Sequence, residues 1–324
     1  KAVERGIPLF TSLDTANALA NALTSRYSLG NVELVDINNM RTKHKKLTFT
    51  KMRGTGNDYL YFDCFDQTVE SPESLAVRLS NRRTGVGSDG IVLIMPSTIA
   101  DAKMRMFNAD GTEGSVAGNA LRCVCKYLYE NGHVRKDEMA VETGSGVKTA
   151  KLFIREDQVF SVLVDMGCPA FAPAKIPVKL DGDRVMMRPV FLAGEKREIS
   201  CVSMGNPHVV IFVEDVNRIP LEQVGPQIET DSLFPERVNV SFAQIVDKND
   251  IVMRVWERGI GETAACGTGA CAVAVAAVEN GFCTRGADID VRLPGGTLVV
   301  RYQEDGKVWL TGDANTDFTG TIEI

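Results

Sequence analysis

The sequence predicts an α+β fold made of two similar halves, each with strands around one central helix. One observation is an internal repeat: a Glu lies four residues before positions 117 and 266, and Glu-Asn-Gly begins thirteen residues after each. A second is the series of short strands with alternating apolar residues that begins near Leu47. A third is the segment 270–278, which is apolar on every side and therefore predicts a helix buried on all sides.

Each copy of the repeat, 113–132 and 262–281, predicts a helix that begins at a glycine-containing turn. Both copies end in Asn-Gly, residues that favour the left-handed conformation found just after helices. Residue 117 or 266 then lies at the helix N-terminus, where unpaired N–H groups and the helix dipole attract an anion. Two such N-termini facing each other across a cleft would hold one carboxylate, with a side chain on either face of the neighbouring carbon.

Cys266 is the candidate for acid–base chemistry at the second N-terminus. A cysteine in this position is expected to have a depressed pKa and to act as a thiolate base or a thiol acid. The alternative is a small buried residue in a tightly packed turn, since free cysteines are often buried. The charged pair at 257–258 and the turn at 267–269 favour the catalytic interpretation. At the matching position Ala117 has only a methyl group, which transfers no proton.

The remaining elements form two strand-rich halves. In the first half, Ser-Pro at 71–72 predicts the start of a helix over 71–79. Strands of this half are predicted at 47–52, 60–63, 91–94, 140–143, 147–152 and 159–165. The second half begins after 167–169, and its strands are predicted at 186–192, 209–213, 238–242, 251–256, 298–302 and 308–310.

Several motifs occur in the order typical of one enzyme family, at 51–59, 81–90, 107–113, 205–208, 237–240, 256–259 and 265–269. Through them the chain, from about Leu47 to its C-terminus, resembles the diaminopimelate epimerases. These are cofactor-independent enzymes that interconvert LL- and meso-diaminopimelate. The resemblance implies two pseudo-symmetric domains, each a β-sheet wrapped around a central helix, with the active site in the cleft between them. It also implies an isomerase of lysine biosynthesis, a homodimer and no cofactor.

The resemblance assigns roles to the residues at matching positions. Cys266 matches one of the family's two catalytic cysteines, and Ala117 occupies the position of the other. His208, beside the reactive carbon, and Glu257 complete the implied catalytic set. The turns that would hold the reacting carboxylate contribute Gly118, Asn119, Gly267 and Thr268. The substrate's distal amino-acid end would be bound by Asn57, Asn108, Asn206, Asn239, Glu257 and Arg258, side chains that donate and accept hydrogen bonds as a zwitterion requires.

The departure from the family pattern is Ala117, because the family has Cys-Gly-Asn where this chain has Ala-Gly-Asn at 117–119. Cys123 and Cys125 lie about two turns inside the predicted helix, roughly 9–12 Å from position 117, too far to replace the missing thiol. Three explanations stay open. The alanine is an engineered replacement, or the protein is a natural member that pairs one thiol with another group or water, or it binds substrate without turnover.

The predicted organisation has three parts. Residues 1–46 form an N-terminal appendage and linker, in which 6–20 resemble the end of the methylglyoxal-synthase-like domain of the carbamoyl phosphate synthetase large subunit. Residues 47–166 with 313–324 form the domain that carries Ala117, and 167–312 form the domain that carries Cys266. The final strand, 319–324, is expected to return to the first domain.

Composition excludes several classes of function. With 324 residues the chain is long enough for two domains, and its 44% apolar and 24% charged residues are typical of globular proteins. A formal charge of −6 offers no basic surface for nucleic acid, and no apolar run has the length of a membrane span. Eight cysteines without tight pairing fit a reduced cytoplasmic enzyme, and no cluster predicts a metal site. The glycines at 85–90 precede a strand rather than a helix, so they do not form a dinucleotide loop.

The leading hypothesis is a diaminopimelate epimerase whose activity is reduced or lost because Ala117 replaces one catalytic thiol. A related amino-acid racemase is the first alternative, together with a one-base isomerase that removes and returns a proton on a single face. A catalytically silent amino-acid-binding protein that retains the cleft is the other alternative.

Overall fold

The computed structural model describes residues 45–114 and 118–324, together with positions 17 and 20. Most of the N-terminal appendage and linker predicted over 1–46, and Ala117 itself, lie outside the described residues. Residues 47–322 form one compact unit.

Four α-helices and eighteen strands make up the described chain. The helices are α1 (Pro72–Ser80), α2 (Gly118–Glu130), α3 (Leu221–Glu229) and α4 (Gly267–Glu279). The first nine strands are β1 (Lys46–Gly54), β2 (Asn57–Asp63), β3 (Gly90–Met95), β4 (Ala102–Asn108), β5 (Glu113–Gly114), β6 (Glu138–Thr143), β7 (Gly146–Arg155), β8 (Gln158–Asp165) and β9 (Arg188–Leu192). The others are β10 (Glu195–Ser203), β11 (Pro207–Phe212), β12 (Asn239–Asp247), β13 (Asp250–Glu257), β14 (Gly261–Thr263), β15 (Asp288–Leu293), β16 (Gly296–Tyr302), β17 (Val308–Gly312) and β18 (Asn315–Glu323).

The two halves repeat each other at a constant spacing of 149 residues. Helices α2 and α4 have thirteen residues each and begin 149 positions apart, as do the nine-residue helices α1 and α3. Strands β1 and β10 show the same spacing and equal lengths. The strand register repeats too, since Tyr59 pairs with Gly90 and, 149 positions later, His208 pairs with Asn239. The halves therefore align without insertion from β1 through α2.

The strand topology is also duplicated. In the first half β1 and β2 form a hairpin, β2 runs parallel to β3, and β4 runs parallel to β6. The second half has the same pattern in β10, β11, β12, β13 and β15. The halves join where β17 pairs with β8, and β18 pairs with β1 as β9 pairs with β10. The last strand thus adds to the first half.

Each half buries its central helix. Helix α2 packs in a core that includes Val92, Leu121, Val124, Val141 and Val162. Helix α4 is more deeply enclosed, because every residue from 269 to 277 is buried. A third cluster lies on the other face of the second half, where α3 packs Leu221 and Ile228 against Val240 and Phe242.

The predicted fold class is confirmed: the chain is a strand-rich α+β protein with one buried helix in each half. All the predicted strands and the predicted helix over 71–79 are present, with shifted ends. Ser71 occupies the N-cap of α1 but makes no side-chain capping bond. Helix α3 and strands β4, β5, β10, β14 and β15 were not predicted.

A packing prediction follows from the contact between α3 and β13. A Cβ on Gly225 would lie 2.7 Å from the indole ring of Trp256, and that ring is held because its Nε1 donates to Glu229 at 2.7 Å. Overpacking costs about 1–3 kcal/mol, which outweighs the gain of about 1 kcal/mol that alanine gives in a helix interior. We expect Gly225→Ala to lower the free energy of unfolding by about 1–2 kcal/mol in urea titrations.

The repeat supplies the matched control for this variant. Position 76 in α1 is the counterpart of position 225, and Ala76 is fully buried. Ala76→Gly should destabilise the protein by about 1 kcal/mol because glycine is the poorer helix former. A Gly225→Ala protein at least as stable as the original would contradict the packing argument.

Candidate active site

The N-termini of α2 and α4 converge on one point. A Cβ on Gly118, the first residue of α2, would lie 3.5 Å from the Leu310 side chain, and one on Gly267 would lie 3.2 Å from it. The same Cβ on Gly267 would be 3.6 Å from Asn119 Oδ1. Leu310 belongs to β17, the strand that joins the two halves. The repeat therefore brings two anion-attracting helix ends side by side.

In the first half, three polar side chains are linked in series. Asn119 Nδ2 donates to Asn57 Oδ1 at 2.6 Å, and Asn57 Nδ2 donates to Asp89 Oδ2 at 3.1 Å. Asn57 begins β2 directly after the turn at 55–56, where both residues have positive φ. Asp89 also accepts from Arg82 Nη2 at 2.9 Å. The two predicted binding asparagines thus share one hydrogen-bonded row.

The second half repeats this contact with different residues. Asn206 and Thr268 are the counterparts of Asn57 and Asn119, and Asn206 Nδ2 donates to Thr268 Oγ1 at 3.2 Å. His208 extends the row, since its Nε2 lies 3.0 Å from Asn206 Oδ1. A carbonyl oxygen accepts only, so this contact requires a proton on Nε2. The remaining ring nitrogen, Nδ1, has no partner among the described residues.

His208 is neutral at ordinary pH. Its side chain is fully buried, and burial together with the positive charge of Arg258 lowers its pKa to about 3. A buried imidazole that stays uncharged can orient neighbouring groups without adding charge to the site.

Cys266 is the N-cap residue of α4, and its pKa is opposite to the prediction. The thiol is only 5% exposed, and burial followed by the negative charge of Glu257 raises its pKa well above the usual value. Hydrogen bonds act the other way, from Thr268 Oγ1, 3.6 Å from the sulfur, and from the backbone of Gly269, but they do not compensate. The predicted depression of the thiol pKa is therefore wrong, and the resting group is a thiol.

Glu257, the last residue of β13, lies beside the Cys266 thiol. Burial raises the pKa of its carboxyl above the usual range, although Thr263 Oγ1 donates to it at 2.6 Å and the Cys266 thiol also donates. A thiol that donates to a nearby carboxylate has an internal acceptor for its proton. Glu257 and Cys266 thus form a coupled acid–base pair in the second half.

Asn239 and Arg258 lie close together in the same half. Asn239 Nδ2 donates to the Pro207 carbonyl at 2.9 Å, and its Oδ1 accepts from the Arg258 backbone N–H at 2.9 Å. The Arg258 guanidinium donates to the Glu236 carbonyl at 3.0 Å. The turn is held from below by buried Glu229, which accepts from Gly259 N–H at 2.9 Å.

One predicted binding residue, Asn108, is not part of either hydrogen-bonded row. Asn108, at the end of β4, donates from Nδ2 to Thr112 Oγ1 at 2.9 Å, and it is linked to none of the other predicted site side chains in the described chain. Ala117 lies outside the described residues. Cys123 and Cys125 are fully buried inside α2, and burial raises the pKa of Cys123 to about 11.

Sequence reasoning missed Asp89, Arg122, Glu229 and Thr263. Asp89 could have been identified from the sequence, because it lies within the motif at 81–90. Arg122 was available through the repeat, because its counterpart 149 residues later is the apolar Cys271. A charged residue on the buried face of the helix in only one copy of the repeat indicates a role specific to that half.

Within 45–114 and 118–324, His, Cys, Asp and Glu side chains form no group of three that could hold a metal ion. None of the described helices combines the length and apolar character needed to cross a membrane.

The pKa of His208 predicts how stability depends on pH. The unfolded chain binds a proton near pH 6.5, whereas the folded chain does so only near pH 3. The unfolded state therefore binds more protons between these values, and stability falls as pH drops through this window, by up to about 1.4 kcal/mol per pH unit. We expect the deficit of His208→Gln at pH 7 to shrink at pH 4, as measured by urea unfolding.

A second histidine provides the control. His133, which contacts Asp63 Oδ2 at 2.7 Å, lies outside the site, so His133→Gln should keep the slope caused by His208. Parallel pH profiles for His208→Gln and the original protein would show that His208 titrates normally.

Comparison with known proteins identifies the family to which this chain belongs. The sequence profile of the diaminopimelate epimerase family matches residues 49–172 and 200–316. The chain is 48% identical over 279 residues to the diaminopimelate epimerase of Acetivibrio thermocellus, covering 86% of this chain and 99% of that protein. It is 50% identical over 285 residues to that of Desulfovibrio desulfuricans, with coverage of 86% and 99%.

Solved structures share the fold at low identity. A PhzF-family phenazine biosynthesis protein from Bacillus anthracis aligns with a TM-score of 0.63 and 18% identity, over 86% of this chain and 100% of that one. A hydroxyproline epimerase from Agrobacterium vitis aligns with a TM-score of 0.56 and 15% identity, over 87% and 92%. By the profile and the identity to its relatives, the chain belongs to the diaminopimelate epimerase family.

Proposed function

We propose that this chain binds diaminopimelate between its two halves and transfers the α-proton of that substrate at Cys266. The observation that carries the proposal is the thiol at the N-cap of α4, paired with the partly buried carboxyl of Glu257 and adjacent to the N-terminus of α2. The relatives' activity supports the choice of substrate. Racemisation at a carbon next to a carboxylate needs a base there and donors for the carboxylate, and both features are present.

The proton transfer starts from a resting thiol. The Cys266 proton passes to the Glu257 carboxylate, which already accepts from the thiol. The thiolate then removes the α-proton: an S–H bond forms, the Cα–H bond breaks, and the electron pair spreads into the substrate carboxylate. Backbone N–H groups at 118–119 and 267–268 would stabilise the charge that develops on its oxygens. The substrate ammonium, a nearby cation, favours the thiolate despite its burial.

Ala117 limits what happens on the opposite face. A methyl group neither donates nor accepts a proton, so inversion would depend on water or on another group. Return of a proton from Cys266 restores the starting isomer. The chain would therefore exchange the α-proton of one stereoisomer with solvent and invert it slowly. Ala117 also favours the alternatives, a one-base isomerase and a silent binding protein.

The distal end of the substrate would be held by Asn239 and Arg258. Asn239 fixes the turn that carries Arg258, and the Arg258 guanidinium lies close enough to His208 to lower its pKa. A guanidinium and several amides suit a second amino-acid group. Amino acids that lack this group would leave buried polar atoms without partners and bind more weakly.

We also propose the wider organisation expected from the family. The 149-residue repeat and the pairing of β18 with β1 support one domain over 47–166 and 313–324 and another over 167–312. Residues 1–46 would be an appendage related to carbamoyl phosphate synthetase. Homodimerisation is carried over from the family resemblance, and the eight free cysteines support a cytoplasmic location.

Proton exchange is the direct test. We expect NMR in deuterated buffer to show loss of the α-proton signal from either LL- or meso-diaminopimelate, with little change in isomer composition. Cys266→Ala should abolish exchange, and Ala117→Cys should raise epimerisation by at least about 100-fold, since a positioned acid or base contributes about 10²–10⁴-fold. Equal, rapid inversion of both isomers would show that another group replaces the thiol at position 117. Binding without exchange would support the silent protein.

Glu257 should control the rate of this exchange. Glu257→Gln removes the proton acceptor but keeps the hydrogen bond with Thr263, so we expect at least a 10-fold slower exchange by NMR. Glu262→Gln is the matched control, because Glu262 pairs with Arg254 at 2.8 Å rather than with the thiol. Similar losses in the two variants would contradict the assigned pair.

A further inference from the structure

The largest fully buried side chain in the described chain is a cation, Arg122 of α2. Its guanidinium donates to Asn119 Oδ1 at 2.9 Å, to Thr55 Oγ1 at 2.8 Å and to the Asp313 carbonyl at 3.0 Å. All three acceptors are uncharged, and within the described residues no carboxylate lies at ion-pair distance from Arg122. The nearby negative charge of Asp313 is linked to the guanidinium through Thr55 Oγ1, which donates to Asp313 Oδ1 at 2.8 Å. Burying a charge that has no direct ion pair is costly, so a purely space-filling role would be better served by an apolar side chain.

The backbone around Arg122 is shaped to admit it. A Cβ on Gly312 would lie 2.7 Å from the guanidinium carbon, and one on Gly54 would lie 3.3 Å from Nη2. Neither glycine has a positive φ, so space rather than backbone conformation accounts for the missing side chains. The pocket therefore fits a planar guanidinium and leaves no room for rearrangement.

Arg122 determines which way two amides point. Arginine only donates, so Asn119 must turn its oxygen toward Arg122 and its NH₂ toward Asn57. Asn57 must then turn its oxygen toward Asn119 and its NH₂ toward the carboxylate of Asp89, which only accepts. We name this row, Arg122, Asn119, Asn57 and Asp89, the amide relay. A cation fixes one end of the relay and an anion fixes the other.

The amide relay leaves two donors for a ligand. Within the described chain, the Asn119 and Asn57 NH₂ groups each use one of their two N–H bonds inside the relay. Asn119 lies at the N-terminus of α2 and against Gly267 of α4, where the helix ends meet. Its remaining N–H, and that of Asn57, add to the backbone donors at this point.

The second half has no such device. Cys271 occupies the position of Arg122, and Thr268, the counterpart of Asn119, is a hydroxyl that both donates and accepts. The orientation of that row is therefore not fixed by a charge, and its end is the thiol of Cys266. The cation belongs to the half in which position 117 is alanine.

We propose that Arg122 is a positioning residue that fixes the amides of Asn119 and Asn57 as donors to the carboxylate at the reacting end of the substrate, where the family resemblance had assigned Asn57 to the distal end. The inference rests on the proposed function for its ligand. It adds a residue that contacts no substrate and acts through the amide relay. Without Arg122 the Asn119 amide can rotate and direct its oxygen at the carboxylate, which repels it.

The test compares two ligands, meso-diaminopimelate and its monoamide at the reacting centre, by calorimetric titration. The original chain should prefer the carboxylate by about 10–100-fold, the range of one or two charge-assisted hydrogen bonds. In Arg122→Met this preference should fall to within about 3-fold, because a rotated amide accepts from a carboxamide as readily as it donates to a carboxylate. A structural role alone would weaken both ligands equally and leave the ratio unchanged, which would overturn the proposal.

Two further variants keep the result decisive. Thr55→Val removes another hydrogen bond of Arg122 while leaving the bond to Asn119, so it should lower stability and preserve the ratio. Asp89→Asn frees the opposite end of the relay at a partly exposed side chain, and it should reduce the ratio even if Arg122→Met does not fold. Failure of the original chain to bind diaminopimelate would count against the proposed function, whereas binding with a ratio unchanged in Asp89→Asn would count against the relay alone.

Discussion

Two buried helices must end at the same place, and the cleft depends on that constraint. Each sheet encloses its helix, so α2 and α4 expose their unpaired N–H groups only where the halves meet, on either side of Leu310. Two positive helix ends side by side repel each other, and the buried guanidinium of Arg122 adds to the positive potential. An anion at this point relieves the repulsion and accepts the free N–H groups. The preference for a carboxylate is therefore a property of the backbone arrangement before any particular side chain is considered.

The internal repeat makes much of the fold predictable, including a helix that the local sequence does not indicate. Alignment of positions 117 and 266 predicted α2 and α4, and alternating apolar residues predicted most strands. Helix α3 was missed because Gly225 and Pro226 interrupt it, and both residues argue locally against a helix. The same spacing of 149 residues places α3 directly opposite α1, whose sequence does predict a helix. Packing on Trp256 overrides local propensity there, and only the long-range repeat carries that information.

The site illustrates which properties a sequence does and does not contain. The family resemblance assigned roles to Asn57, Asn119, Asn206 and Thr268, and the structure joins them in equivalent pairs. The prediction that the pKa of Cys266 is depressed was wrong. A helix N-terminus shifts a pKa by local charge, whereas the effect of burial depends on the whole surrounding fold. In this site the loss of hydration outweighs the helix end. A resting thiol is compatible with proton transfer because Glu257 accepts its proton and because a cationic substrate changes the balance.

Binding and proton transfer are physically separable in this chain. In the proposed site, the groups that would attract and orient a carboxylate are backbone N–H groups, two amides and the cation behind them, and none of these contacts uses a thiol. Replacing a thiol by a methyl group at position 117 removes one proton carrier and leaves the charges of the first half in place. The second half keeps its thiol, its carboxyl acceptor and its neutral histidine. Under the proposed mechanism, an alanine at this single position would therefore convert a two-sided exchange into a one-sided one and leave the carboxylate-binding groups of the first half in place.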